Sequence, residues 1–420
     1  MRDAGCSPSW GIRGLRRLCP ALWGRLVEVG VLNNASDIHL TYQSDGLHVA
    51  LRIDGQLVEQ GRIESLELAH RVSNHVKIVG ALDLGERRRP QSGRAMAKVA
   101  DRAVDLRISA LPTIHGQDLV VRILDRTVSL LDVEQLGLRR RERNRMFGLT
   151  SVPSGLVLVS GPTGAGKTTT LYAILRKLND GTRKIITIEN PTEYDLPGIN
   201  QSQVHAKLGL GFHGLLQTVL QQDPDVIMIG EVRDVETAST AVRAAVTGHV
   251  VFATTHAIRA AEAVESMISL GAHPHFLGGA LRGVIAQNLV RAVCPQCAER
   301  IDETAALLPL DDVSQLLEAD QTPSLAIGRG CDHCFGTGYR GRVGLFEILV
   351  TDAEIRHLIE NRRPADEIHR AAVNGGMVTL QQSGKLAAFL GQTTVEELVR
   401  VIPMSTDDPV DRPVAEVQPV

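Results

Sequence analysis

Gly161-Pro162-Thr163-Gly164-Ala165-Gly166-Lys167-Thr168 fits the pattern G-x-x-x-x-G-K-[ST] and decides how the chain folds around it. Leu156-Val157-Leu158-Val159-Ser160, just before it, is a short apolar run that reads as a buried strand. Thr169-Thr170-Leu171-Tyr172-Ala173-Ile174-Leu175, just after it, opens an amphipathic helix. Strand, glycine-rich loop and helix in that order build a phosphate cradle. Glycines let backbone N–H groups curl around phosphate oxygens, and the helix N-terminus adds partial positive charge. Lys167 then reaches the terminal phosphates, and Thr168 offers its hydroxyl to Mg²⁺. The stretch Gly161 to Thr169 is the expected nucleotide-binding loop. The competing reading, a glycine-rich turn matching by accident, leaves the flanking strand and helix unexplained.

Lys184–Glu189, Asp225–Gly230 and Val250–Thr255 are further apolar runs separated by helical stretches. That alternation implies an α/β fold with a parallel sheet and helices on both faces. Ligands of such sheets bind at the carboxyl edge of the strands, and chemistry-bearing residues end these runs. Glu231 follows Asp225-Val226-Ile227-Met228-Ile229-Gly230, where a carboxylate holds a Mg²⁺ water or orients the attacking water. Glu189 ends Ile186-Thr187-Ile188 and is a candidate general base, with Glu193 nearby. His256 follows Thr254-Thr255 and is placed to contact phosphate; a hydrogen-bonded structural histidine is the plainer alternative.

The rest of the chain sets bounds. Its 420 residues suffice for two or three domains, and 43% hydrophobic residues supply their cores. Only 3% aromatics argues against a stacked-base binder, and a net charge of -3 removes a global case for nucleic acid or anionic membrane. Arg87-Arg88-Arg89 and Arg139-Arg140-Arg141 read as solvated charge. No segment approaches the roughly 18 apolar residues of a membrane span, and the basic start lacks the apolar core of a signal peptide. The expectation is a cytosolic chain that meets a membrane only through a partner protein.

Residues 1–35 read as a leader with one helix from about Pro20 to Asn33. From 36 to 125, short alternating runs such as Asp37-Ile38-His39-Leu40-Thr41 and Val104-Asp105-Leu106-Arg107-Ile108-Ser109 predict a mainly antiparallel sheet. Asp54-Gly55 marks a hairpin turn, and Leu66 to Val79 a helix. Residues 126–150 form a charged linker, 151–293 the nucleotide core, 294–345 a cysteine-bearing insertion and 346–403 a helical end. The tail, 404–420, carries proline and acidic residues and is expected to be disordered.

Cys294-Pro295-Gln296-Cys297 and Cys331-Asp332-His333-Cys334 form two C-x-x-C knuckles. Each places two thiolates on one side of a tight turn, and together they complete a tetrahedral Zn²⁺ site. Two disulfides or a redox dithiol are the alternatives, and a cytosolic location disfavours persistent disulfides. Four cysteine ligands leave no open position, so the Zn²⁺ would be structural. Cys6 and Cys19 sit in no such motif.

Taken together, Gly161 to Thr170, Ile188-Glu189-Asn190-Pro191-Thr192-Glu193-Tyr194, Gln222 to Asp234 and Thr247 to His256 resemble the secretion ATPases. These are the assembly motors of type II secretion and type IV pili. Ser36-Asp37-Ile38-His39-Leu40, Arg52-Ile53-Asp54-Gly55 and Pro90-Gln91-Ser92-Gly93-Arg94 look like the N-terminal domain of that family. The resemblance implies a RecA-like P-loop domain preceded by a PAS-like one, in homo-hexamers that hydrolyse ATP between subunits. It makes Lys167 and Thr168 ligands of phosphate and Mg²⁺, Glu189 the base, Glu231 the Walker-B-type acid and His256 the histidine-box residue. Arg94 and Arg107 match positions that supply arginines to ATP, a role suited to a permanently charged fork. The tetracysteine element, with the glycine-rich Gly336 to Arg342 after it, is shared by the secretion and pilus-extension branches.

This chain departs from the family in three places. Asn190 stands where the family has an aspartate. Gly214, Gln217 and Gln221 replace arginines before Asp223, and Ala257-Ile258 replaces Thr-Asn. An active but slow ATPase is expected, working with an inner-membrane platform protein at the cytoplasmic face. Secretion is favoured over pilus extension because Cys334-Phe335-Gly336-Thr337-Gly338-Tyr339 resembles that branch more closely. A non-catalytic assembly subunit is the competing class, consistent with a start only about 20 residues before the PAS-like domain. A DNA motor has no support in charge or aromatic content.

Overall fold

The structure is a computed structural model that describes residues 15–125, 131–301, 311–318 and 321–402. The expected disordered tail, most of the expected linker's first residues and the start of the leader lie outside them. Two compact units divide between Ser129 and Leu130.

The N-terminal unit opens with helix α1 (Leu15–Leu32), which starts before the expected Pro20 and carries that proline inside it. Strands β1 (Asp37–Gln43), β2 (Gly46–Ile53) and β3 (Gln56–Ile63) precede α2 (Leu66–Val79); β4 (Gln91–Val99), β5 (Arg102–Pro112) and β6 (Gln117–Asp125) follow. They form one antiparallel sheet in the order β3-β2-β1-β6-β5-β4. Asp54 (φ 49°) and Gly55 (φ 86°) both take positive φ, as a tight hairpin between β2 and β3 demands. The strands alternate: Ile38, Leu40, Leu51, Leu106, Ile108 and Val121 are buried on one face. That face packs on α1 and α2, through Trp23 and Val27 of α1 and Val72 and Val76 of α2. Ser65 caps α2 by accepting from the Leu68 N–H, and helix and strands share one apolar core.

The second unit starts with α3 (Arg140–Thr150) and β7 (Gly155–Ser160), followed by α4 (Lys167–Leu178), β8 (Ile185–Glu189), β9 (Asn200–Gln203) and α5 (Phe212–Val219). Then come β10 (Val226–Ile229), α6 (Val235–Val246), β11 (Val250–Thr255), α7 (Ala260–Ser269), α8 (Pro274–Ala280) and β12 (Leu281–Val293). A small antiparallel ladder, β13 (Ala298–Arg300) with β14 (Ala326–Gly328), brackets α9 (Asp311–Ser314). The strand β15 (Tyr339–Val350) and helices α10 (Ala353–Glu360), α11 (Ala365–Asn374), α12 (Leu380–Phe389) and α13 (Val395–Val401) complete it.

Seven strands form its sheet in the order β15-β12-β7-β11-β10-β8-β9. Every neighbouring pair is parallel except β12 with β15, so the sheet is mixed rather than purely parallel. The reason is local: the chain leaves β12, passes through the cysteine element and returns as β15 along the same edge. Alternate residues of the central strands feed two cores. Leu156, Leu158, Ile227 and Ala253 pack under α5 to α8 and the last four helices, while Val157, Val159, Met228 and Phe252 pack under α3 and α4. Strands buried on both faces read as continuous apolar runs, which is why β7, β10 and β11 were legible. Among the described residues, no helix is long and apolar enough to cross a membrane.

Candidate active site and cysteine cluster

The loop between β7 and α4 lies at the carboxyl edge of the parallel strands. Gly161 has φ 147°, and a Cβ there would stand 2.3 Å from the Gln287 carbonyl oxygen, so only glycine permits β12 to lie this close. Gly166 takes φ 85° directly before the first residue of α4. The Gln287 side chain donates to the Ala165 carbonyl at 2.7 Å and ties the loop to β12. The first N–H groups of α4 have no partner in their own helix, which is the feature that binds anions.

A cavity of about 430 Å³ opens over this loop. Pro162 to Thr168, Glu189, Asn190, Glu231 and His256 all line it, so the residues expected from three separate strands meet in one place. Gly161 shapes the loop without lining the cavity, and Thr169 lies on the exposed side of α4 away from it. The Lys167 ammonium donates to the carbonyls of Gly161 (2.5 Å) and Pro162 (3.2 Å). His256 stands between charges: its Nδ1 lies 3.4 Å from Lys167 Nζ and its Nε2 3.6 Å from Glu231 Oε2. With a proton on Nε2 alone, the ring accepts from the ammonium at Nδ1 and faces the carboxylate with Nε2–H. Burial lowers the Lys167 pKa, and the Glu231 carboxylate opposes that shift. The Ser160 hydroxyl, donating to the Ala257 carbonyl at 2.5 Å, pins the end of β11 that presents His256.

Glu189 is 3% exposed and receives three hydrogen bonds from neutral donors. Thr187 Oγ1 (2.6 Å) and Gln201 Nε2 (3.0 Å) donate to Oε1, and the Tyr172 hydroxyl donates to Oε2. Gln201 on β9 is itself held, donating to the Tyr194 carbonyl and accepting from the Leu196 N–H. Sequence reasoning missed Tyr172, Gln201 and Arg233, whose Nε lies 2.7 Å from Glu231 Oε2. Tyr172 follows Lys167 by five residues, about one and a half helical turns. That spacing was a usable signal; the contact of Gln201 depends on β9 joining the sheet edge and gave none.

Arg94 and Arg107 belong to the N-terminal unit, where they are register partners on β4 and β5. They line a separate cavity of about 400 Å³ together with Asp37, Ser92, Ser109 and Arg122.

The four cysteines of the knuckles converge, with all Sγ atoms within 4.8 Å of one another. Cys294 to Cys331, Cys297 to Cys334 and Cys331 to Cys334 measure 3.9, 3.8 and 3.7 Å between sulfurs. Four sulfurs placed about 2.3 Å from a central Zn²⁺ lie ~3.8 Å apart, so the cluster has the dimensions of a tetrahedral zinc site. The same separations are far beyond the ~2.05 Å of a disulfide, and all four cysteines are free. Backbone N–H groups of Gly330, Cys331 and Gly338 point at Cys297 and Cys334 sulfurs at 3.2–3.3 Å, as thiolate ligands require.

Residues 18–400 match the family described as "Type II/IV secretion system protein". The chain belongs to the type II/IV secretion system protein family. It is 42% identical over 388 residues to the type II secretion system protein E of Pseudomonas aeruginosa, covering 92% of this chain and 75% of that protein. It is 40% identical to the type IV pilus assembly ATPase PilB of Thermus thermophilus, covering 89% of this chain and 42% of that protein. In fold it is similar to the Legionella pneumophila ATPase DotB, with a TM-score of 0.66, 20% identity and coverage of 91% of this chain and 95% of that one. The pilus retraction motor PilT with bound ADP gives a TM-score of 0.59 at 24% identity, covering 90% and 96%.

Proposed function

We propose that this family member is the ATP-hydrolysing motor of a type II secretion system, powering pseudopilus assembly from the cytoplasmic face of the inner membrane. The observation that carries the reading is the convergence of Lys167, Glu189, Glu231 and His256 on one cavity at the carboxyl edge of the sheet. ATP is the substrate. The loop N–H groups and Lys167 hold its phosphates, the ammonium exchanging two carbonyl oxygens for phosphate oxygens. Thr168 would hold a Mg²⁺ ion, which neutralises charge on the terminal phosphates when bound. Glu189 orients and accepts a proton from the attacking water, Glu231 would help hold the Mg²⁺ ion, and His256 relays the state of the phosphate between Lys167 and Glu231. The cysteine cluster holds a structural Zn²⁺.

The N-terminal unit, an antiparallel sheet with helices on one face, supports the PAS-like reading. Residues 151–293 are the RecA-like core, with β15 returned to its sheet beyond the zinc element. The motor is a homo-hexamer in which Arg94 and Arg107 of one copy serve ATP held by another. It reaches the membrane through a platform protein and binds no nucleic acid. Identity to a pilus assembly ATPase, at 40%, supports pilus extension as the second reading. Secretin and pseudopilin genes beside this one would separate the two. Purified oligomer should release phosphate from MgATP, and Lys167→Ala should abolish that release. A wild-type rate equal to that variant's would sink the motor reading in favour of a non-catalytic assembly subunit.

A further inference from the structure

Both ends of the phosphate loop rest on one residue of β12. Ala286 of that strand is the register partner of Ser160 at the end of β7, which sets Gln287 beside Gly161. The Gln287 main-chain carbonyl is the group that a side chain at Gly161 would strike. Its side chain crosses to the other end of the loop. There Nε2 donates to the Ala165 carbonyl at 2.7 Å and would stand 3.4 Å from a Cβ placed on Gly166.

That bond fixes the direction of the next N–H. Among the described residues only Asn190–Pro191 is a cis peptide, so the Ala165–Gly166 peptide is trans. In a trans peptide the C=O and the N–H point in opposite directions. With the Ala165 oxygen drawn onto β12, the Gly166 N–H faces away from that strand, towards the cavity that Ala165, Gly166 and Lys167 line. Gly166, at φ 85°, then turns the chain into α4.

Stability does not account for a glutamine here. Gln287 is 2% exposed, and its Oε1, sealed from solvent, has no hydrogen-bond partner among the described residues. A buried acceptor without a donor is destabilising in a way that an apolar side chain of the same length is not. What the amide adds over such a side chain is a donor aimed at the loop.

We propose that Gln287 is a positioning residue for phosphate binding, holding the Ala165 carbonyl against β12 and so aiming the Gly166 N–H at a phosphate oxygen of the nucleotide. The ligand is the diphosphate part that ATP and ADP share, and the assignment rests on the nucleotide reading given above.

Binding of MgADP to the full chain, and kcat and KM for MgATP, are compared for the wild type, Gln287→Met and Gln287→Asn. Gln287→Met keeps the length of the side chain and removes both the donor and the unpaired oxygen. It should weaken MgADP binding at least about fivefold and raise KM by a similar factor. Its kcat should stay within about twofold, because the loop grips phosphate alike before and during the reaction. Its melting temperature should move by less than about 3 °C, since losing the unpaired Oε1 offsets leaving the Ala165 carbonyl without its donor. Unchanged MgADP affinity, or a lower kcat at wild-type KM, overturns the proposal.

Should Gln287→Met fail to fold, Gln287→Asn carries the test. It keeps an amide that falls one methylene short of Ala165, so it should weaken MgADP in the same direction, and wild-type affinity overturns the proposal. A wild-type chain that binds MgADP but hydrolyses no MgATP would count against the motor reading alone, and the binding comparison stands.

Discussion

The hydroxyl of Tyr172 donates to Glu189 Oε2, joining the helix that follows the phosphate loop to the carboxylate that ends β8. Burial, and then the Glu189 carboxylate, push the Tyr172 pKa upward, so the phenol stays a donor throughout the working pH range. The bond couples Glu189, the proposed base, to the helix whose start is proposed to hold the phosphates. Tyr172→Phe keeps the ring and removes the donor, leaving a buried carboxylate oxygen unsatisfied at a cost of about 1–3 kcal/mol. We expect kcat to fall about tenfold with little change in KM, because the loop itself is untouched. Steady-state hydrolysis and denaturant unfolding of the same preparation check both effects.

Asn190 lies in the cavity beside Glu189, where the family resemblance places an aspartate. An amide brings no negative charge to that edge of the cavity, where a carboxylate would. Asn190→Asp should raise kcat by about threefold or more, and by less when Glu189 is replaced with Gln. An unchanged kcat in Asn190→Asp would show that this departure does not limit turnover.

The cysteine cluster fits one Zn²⁺ per chain, and Cys294 and Cys334 are buried within it. Metal analysis should return close to one equivalent. Stripping the metal with a chelator should expose four titratable thiols and lower the melting temperature. Cys334→Ser, which removes the sulfur that receives two backbone N–H groups, should bind zinc at least about tenfold more weakly. Less than half an equivalent in freshly purified protein would contradict the assignment.

Glu397 of α13 has no exposed side-chain surface and accepts from Arg291 of β12 and from Arg400. Burial alone would raise its pKa, but the hydrogen bonds from Arg400 and Arg291 outweigh it and bring the value from 4.5 down to about 2. A folded value below the unfolded one means that the fold favours the carboxylate. Its contribution is whole above pH about 4.5 and is lost as pH falls from there towards 2. Glu397→Gln should therefore destabilise by about 3 kcal/mol at neutral pH. The unfolding free energies of variant and wild type should converge as the pH approaches 2.

The sequence made the phosphate loop and three strand ends legible because each is a local signal: glycines at fixed offsets, or an apolar run ending in Glu or His. Their meeting in one cavity followed from the parallel order of those strands. The antiparallel β15 was not foreseen, since its pairing with β12 depends on how the cysteine element reverses the chain. Gln201 was hidden for a similar reason: β9 is too polar and short to announce itself as a strand. Arg122 gave no sign at all, because a lone arginine in an alternating strand becomes part of a row only when the register of β1, β5 and β6 is known.

Arg94, Arg107 and Arg122 stand opposite one another across β4, β5 and β6, and that row has a consequence for the molecule. Along β5 and β6, each arginine alternates with core residues such as Ile108 and Val121. Because strand side chains repeat every two residues, a slip of one position would bury the guanidinium groups and expose the aliphatic ones. The charged line thus works as an alignment mark. A chain that mispairs these strands meets a large desolvation penalty, so the line of charge proofreads the sheet.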